Sequence, residues 1–273
     1  MSIGTPKYVP DSFFGSMEYE NVIVYLFLFM LFGIFWVIAF IGAFQLFVIA
    51  ATTCMWYFSG QGSDNADNQG SIGVLLSFKW GLWYHMGSLA WGAFLVAVVT
   101  MVRVIFEYFV KKMEAAGANN NPVAKALICV TRGCIWCLDC CIKFINKNAY
   151  IQVALHNTNF CAAAWTGFYL VVRHIGRFSA SSLSTTIMSV LGKGVIIALS
   201  VWLTILSLNK WYPDVQSPVM PCVVVGCIAF VVSTMFLNVF SFSSLTILQC
   251  FLLDEDFGGS NRTPQSLQKF LDI

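Results

Sequence analysis

The sequence predicts an all-α fold: a polytopic transmembrane helical bundle with four full spans plus a re-entrant or interfacial helix pair, six hydrophobic segments in all. Composition is the first observation behind this. Of 273 residues, 58% are hydrophobic, 16% aromatic and only 10% charged, where an ordinary soluble domain carries about 25% charge. The mean hydropathy of +0.76 agrees. The second observation is where the charges fall. No Asp, Glu, Lys or Arg occurs from Asn21 to Ser63 or from Gln216 to Leu253. A helix needs about 20 apolar residues to cross the hydrocarbon, so each run holds one tilted span with its interfacial ends.

In chain order, residues 1–21 form a polar, turn-rich N-terminal segment, followed by a transmembrane domain over 22–253 and a polar tail over 254–273. The opening lacks a basic region followed by a short apolar core, so no cleavable signal peptide is expected, and the first span would serve as an uncleaved anchor. That span runs from about Val22 to Trp56 and ends in the belt aromatics Trp56 and Tyr57. A Gly/Asn/Asp-rich loop over 59–71 follows it. The second span runs from about Trp83 to Phe106 and is closed by Arg103, Glu107, Lys111 and Lys112. Residues 124–145 then read as a helix carrying Arg132, Asp139 and Lys143, heavy in charge for a lipid-facing element. A break is expected at Asn146–Asn148, before a further apolar helix over 149–172 that stops at RHIGRF. The last two spans run from about Met188 to Leu208 and from Met220 to Phe251, with Pro213, Pro218 and Pro221 punctuating the connection.

Lys and Arg set the orientation. Ten of them lie between Arg103 and Lys193, while the loops after the first and third full spans offer only Lys79 and Lys210. The positive-inside rule puts the middle section on the cytoplasmic, or matrix-like, side and with it both termini. Hydropathy leaves open whether 124–172 forms a hairpin through the bilayer or lies at its surface. The Arg and Lys of 124–145, with Lys147, would attract anionic lipids in the second case.

Cysteine is the most conspicuous residue outside the spans, with Cys137, Cys140 and Cys141 inside five positions. Helical spacing puts Cys134, Cys137 and Cys141 on one face. A tetrahedral zinc site wants four ligands, and no second CxxC pair completes one, so no metal and no cofactor are expected. The cysteines read first as small apolar side chains and second as S-acylation sites. On a reduced side a disulfide is disfavoured. The stretch KWGLWYHMGSLAWGAF, residues 79–94, is the other candidate. As one helix it would align Trp80, Tyr84, Gly87, Ser88 and Trp91, and rings flanking small residues can hold a quaternary ammonium by cation–π attraction. Trp80, Tyr84 and Trp91 are therefore the candidate substrate-binding residues, against the alternative of an interfacial belt with a packing face. Arg103 and Glu107 read as an i,i+4 pair, and His85 as a water-facing histidine. No phosphate-binding loop, HExxH or set of intramembrane carboxylates is present, so an enzyme is not expected, nor a nucleic-acid partner.

Several stretches together are familiar. YHMGSLAWGA with TMVRVIFEY, NPVAKALICV, IWCLDCCIKFINKNAYI, TNFCAAA and the terminal CFLLDED resemble, in the same order, the C-terminal half of the choline transporter-like family. Asn146–Ile151 with Asn159, Phe160 and Cys161 is the most specific part, and Cys250, Phe251 and Asp254 form a second anchor. The resemblance implies a membrane carrier of choline or related organic cations with both termini cytoplasmic, in the plasma membrane or an organelle membrane. Because the family's N-terminal half has no counterpart here, it also admits a transport-inactive accessory subunit scaffolding a larger membrane complex. The partners implied are membrane lipids, choline or a similar amine, and either a second copy of the chain or other subunits.

Overall fold

The computed structural model describes residues 5–7, 16–18, 21–59, 66–115, 122–211 and 218–256. Two three-residue strands, β1 (Thr5–Lys7) and β2 (Ser16–Glu18), pair antiparallel with Pro6 opposite Met17. The other described elements are seven helices: α1 (Asn21–Ser59), α2 (Ala66–Trp83), α3 (Met86–Ala115), α4 (Pro122–His156), α5 (Phe160–Arg173), α6 (Ile175–Trp211) and α7 (Val219–Asp256). The fold is all-α, and α1, α3, α6 and α7 are long and apolar enough to cross a membrane. At 1.5 Å per residue, the 39 residues of α1 reach roughly 58 Å, well beyond a hydrocarbon core of about 30 Å. All four spans expected from the sequence are present, each extended by up to about four turns. Of the loop expected over 59–71, residues 60–65 lie outside the described residues, and α2 begins at Ala66.

The chain divides into two compact units, Met1–Phe44 with Gly87–Asn146, and Gln45–Met86 with Lys147–Ile273. In the first, α3 and α4 are joined by polar side chains. Arg132 donates from Nε and Nη2 to the two carboxylate oxygens of Glu107, both at 2.8 Å. Buried Asp139 accepts from Lys143 at 2.7 Å and lies 3.6 Å from Arg103. Glu107 thus answers a residue 25 positions away rather than Arg103. A planar guanidinium matches a carboxylate edge-on, which an i,i+4 approach along one helix does not offer as well. Deeper in the same seam, the Asn146 amide donates to the Gly92 carbonyl at 2.9 Å.

In the second unit the interior is built by α1, α2, α4, α5 and α7. Ala50, Ile151 and Phe242 form one buried cluster, and Cys54, Tyr57, Leu170, Cys250, Phe251 and Leu252 another. Thr52 donates to Val48 O along α1 and lies 3.1 Å from the Ser77 hydroxyl of α2. α6 and α7 pack along their length, with Gly192 against Leu237, Gly226 against Val201 and a Ser189–Ser241 hydroxyl contact at 2.8 Å. Small residues at these points let helices approach where lipid supplies no hydrophobic drive.

The break expected at Asn146–Asn148 is absent, because α4 runs without interruption to His156. Asn has modest helix propensity because its amide competes for the backbone. Here both amides are engaged by neighbouring helices, which removes that competition. The chain turns instead at 157–159, where Asn157 takes the left-handed conformation, φ 53°, that asparagine tolerates. Its N–H still reaches Val153 O at 3.0 Å. The stop expected at RHIGRF reduces to a pause at His174 between α5 and α6. The basic residues there have a different use. Arg173 lies 3.3 Å from Asp256, His174 3.6 Å from the same carboxylate, and Arg177 pairs with Glu255. The two arginines neutralise acidic residues at a helix C-terminus, where the macrodipole disfavours them.

α5 comes so close to α4 that a Cβ on Gly167 would stand 3.2 Å from both the Asn148 carbonyl oxygen and the Gln152 Cγ. Gly167→Ala is expected to destabilise the protein by about 1–3 kcal/mol through overpacking. Gly176→Ala, where nothing lies within 4 Å, should be neutral or slightly stabilising. Thermal unfolding in detergent micelles checks both.

Candidate functional site

Trp80, Tyr84 and Trp91 do not share one helix face. α2 ends at Trp83, Tyr84 and His85 form a turn, and α3 starts at Met86. Gly81 and Gly87 lower helix propensity on either side of that turn. His85 is buried, its ring 5.0 Å from that of Phe47, and is not the water-facing residue the sequence suggested. Trp80 and Tyr84 lie in the second unit, linked by the Tyr84 N–H to Trp80 O bond at 2.9 Å, and both rings are exposed.

Trp91 belongs to the first unit and has company that the sequence did not disclose. It stacks on Phe94 at 5.7 Å with a 16° interplanar angle. Phe94 in turn meets Phe32 and Trp36 of α1 edge-on, at 5.7 and 6.0 Å. The Trp36 indole N–H donates to the Ala90 carbonyl at 3.1 Å, so one Trp of the four-ring cluster is fixed by a hydrogen bond as well as by packing. Trp36 and Trp91 remain 40% and 51% exposed, so part of each ring is uncovered by the chain. The i,i+4 spacing of Phe32 and Trp36 and the i,i+3 spacing of Trp91 and Phe94 were the available cues, but lipid-facing aromatics follow the same spacing.

The second notable arrangement is a buried chain of carboxamides. On α4, Asn148 and Gln152 are one turn apart. Gln249 of α7 accepts from the Gln152 amide at 3.0 Å and donates its own amide to Asn148 Oδ1. None of the three is more than 1% exposed. Beside them the thiols of Cys54 and Cys250 lie 3.6 Å apart and Tyr57 is buried. Tyr150, also buried, packs on Phe160 at 6.1 Å. NKNAYI and the residues around Cys250 therefore meet in space.

The cysteines of α4 are not packed against the chain, which leaves them facing outward as small apolar side chains can in lipid. Cys129, Cys134, Cys137, Cys140 and Cys141 are exposed along α4, and only Cys54 and Cys250 are buried among the described residues. No cluster of three or more His, Cys, Asp or Glu side chains able to hold a metal occurs among the described residues.

The family model for plasma-membrane choline transporters matches residues 2–256. The chain belongs to the choline transporter-like family. Curated relatives include choline transporter-like 2 of Anopheles gambiae, 32% identical over 88% of this chain, and choline transporter-like protein 2 of Dictyostelium discoideum, 32% identical over 98%. The human choline transporter-like protein 2 is 31% identical over 94%. The chain spans 30%, 42% and 37% of the length of these three relatives, respectively. In this family member, the two stretches most specific to the resemblance are joined by the amide chain.

Gln249→Leu should cost about 1–3 kcal/mol, because it leaves the amides of Asn148 and Gln152 in an apolar interior with a partner lost. The double variant Gln152→Leu, Gln249→Leu is expected to lose less than the sum of the two single changes. A double-mutant cycle on unfolding in detergent measures that difference.

Proposed function

We propose that this member of the choline transporter-like family binds choline or a related organic cation and moves it across the membrane. The four-ring cluster of Phe32, Trp36, Trp91 and Phe94 carries the reading. A quaternary ammonium has no hydrogen-bond donors on nitrogen, so a protein recognises it by the electron-rich faces of aromatic rings, worth about 2 kcal/mol or more when desolvated. Trp91 is the principal ring of this cluster, and Trp80 and Tyr84, in the second unit, are proposed separately as substrate contacts. The distribution of Lys and Arg supports a topology with both termini on the cytoplasmic side.

A second reading, an accessory subunit of a larger membrane complex, is favoured by one observation. The most apolar stretches of α1 and α6 bury none of their residues within the chain. Those surfaces fit other helices as well as lipid.

Titration of the purified protein with choline, read by tryptophan fluorescence, tests the first reading. Trp91→Ala and Trp36→Ala should each weaken binding by about 5- to 30-fold, with Trp91→Phe closer to wild type. Equal affinity in all four proteins would remove the cluster from the binding site. No binding at all, together with copurification in a fixed ratio with another membrane chain, would favour the second reading.

A further inference from the structure

We propose that the cleft between α3 and α4 is a binding site for the headgroup of an anionic phospholipid, separate from the aromatic cluster. The cleft encloses about 330 Å³ and is lined by Arg103, Glu107, Cys129 and Arg132 with the apolar walls of Phe106 and Trp136. Its charge is unbalanced. Arg103, Lys111, Arg132 and Lys143 act with Glu107, Glu114 and Asp139 around it, four cations against three carboxylates. Asp139 is held by Lys143 at 2.7 Å, so the Arg103 guanidinium, 3.6 Å away and half exposed, keeps donors directed elsewhere. Arg132 binds Glu107 through Nε and Nη2, which leaves Nη1. Two guanidinium edges at the mouth of one cleft suit the oxygens of a phosphodiester.

The level in the membrane fits as well. From Met86 to Val102, α3 carries no Asp, Glu, Lys or Arg, a rise of roughly 26 Å. Arg103 therefore emerges where hydrocarbon gives way to headgroups. Trp136, 61% exposed, has the amphipathic ring enriched at that level. An acyl chain would continue along Phe106 and Trp136 while the phosphate sits on the guanidinium groups. Basic pockets between helices on the cytoplasmic side are where anionic lipids are retained, and the basic residues of the chain assign this end to that side.

Native mass spectrometry of the whole protein, released from mixed micelles of phosphatidylserine and phosphatidylcholine, tests the site. Phosphatidylserine should be retained in preference to phosphatidylcholine. Arg103→Gln should reduce that retention about fivefold, while Lys210→Gln, an equal loss of charge at the other end of the spans, should leave it unchanged. A second measurement needs no variant. Phosphatidylserine should protect Cys129, and not the exposed Cys161 of α5, from maleimide labelling mapped by peptide. Equal retention by Arg103→Gln and wild type, or equal labelling of Cys129 in both lipids, would overturn the proposal. Full displacement of the lipid by millimolar inorganic phosphate would overturn it too, by making the cleft a site for the free anion.

Discussion

The hydrogen-bonded chain from Gln152 through Gln249 to Asn148 is the interaction that most constrains the rest of the structure. Away from water, a carboxamide must find its partners inside the protein or forfeit its full desolvation cost. Three amides on two helices make these two bonds only at one register of α4 against α7, with Gln152 Oε1 left buried and unpartnered. That register places Ile151 in the cluster with Ala50 and Phe242, and Cys250 against Cys54. It also demands that α5 approach closely, which Gly167 permits. The amides supply specificity that apolar helix surfaces lack, since one leucine-rich face packs in lipid about as well as another.

The ends of the helices are specified by a different chemistry. Ion pairs between α3 and α4, and between the start of α6 and the end of α7, lie where side chains are half exposed. Individually such pairs contribute little to stability, yet they select which helix ends lie together. Within the first unit, the aromatic cluster of α1 and α3 is left with open ring surface while Trp36 is tethered to Ala90 O. A rigid set of rings with exposed faces is what cation recognition requires, because the ligand then pays little to order its site.

Much of this was legible in the chain itself, and the reasons for the misses are specific. The four long helices follow from charge-free runs that lipid demands. Asn157 marks the turn after α4, as its tolerance of positive φ suggests. Asn146 and Asn148 misled because propensity describes an amide without tertiary partners, and both of these have them. α2 was obscured by the polar Gly/Asn/Asp composition that precedes it, and this moved Trp80 and Tyr84 off the face of Trp91. Trp91 itself was visible as a ring near small residues, whereas Phe32, Trp36 and Phe94 are indistinguishable in sequence from lipid-facing aromatics. The Glu107–Arg132 pair joins residues 25 positions apart, beyond the reach of any helical spacing rule.

Flux is the direct readout of the proposed carriage of an organic cation by these helices. Proteoliposomes containing the purified chain alone, with uptake of labelled choline followed over time, separate carriage from mere binding. The expected result is saturable uptake that unlabelled choline competes away. Uptake no greater than in protein-free liposomes, from protein shown to be folded and inserted, would contradict it.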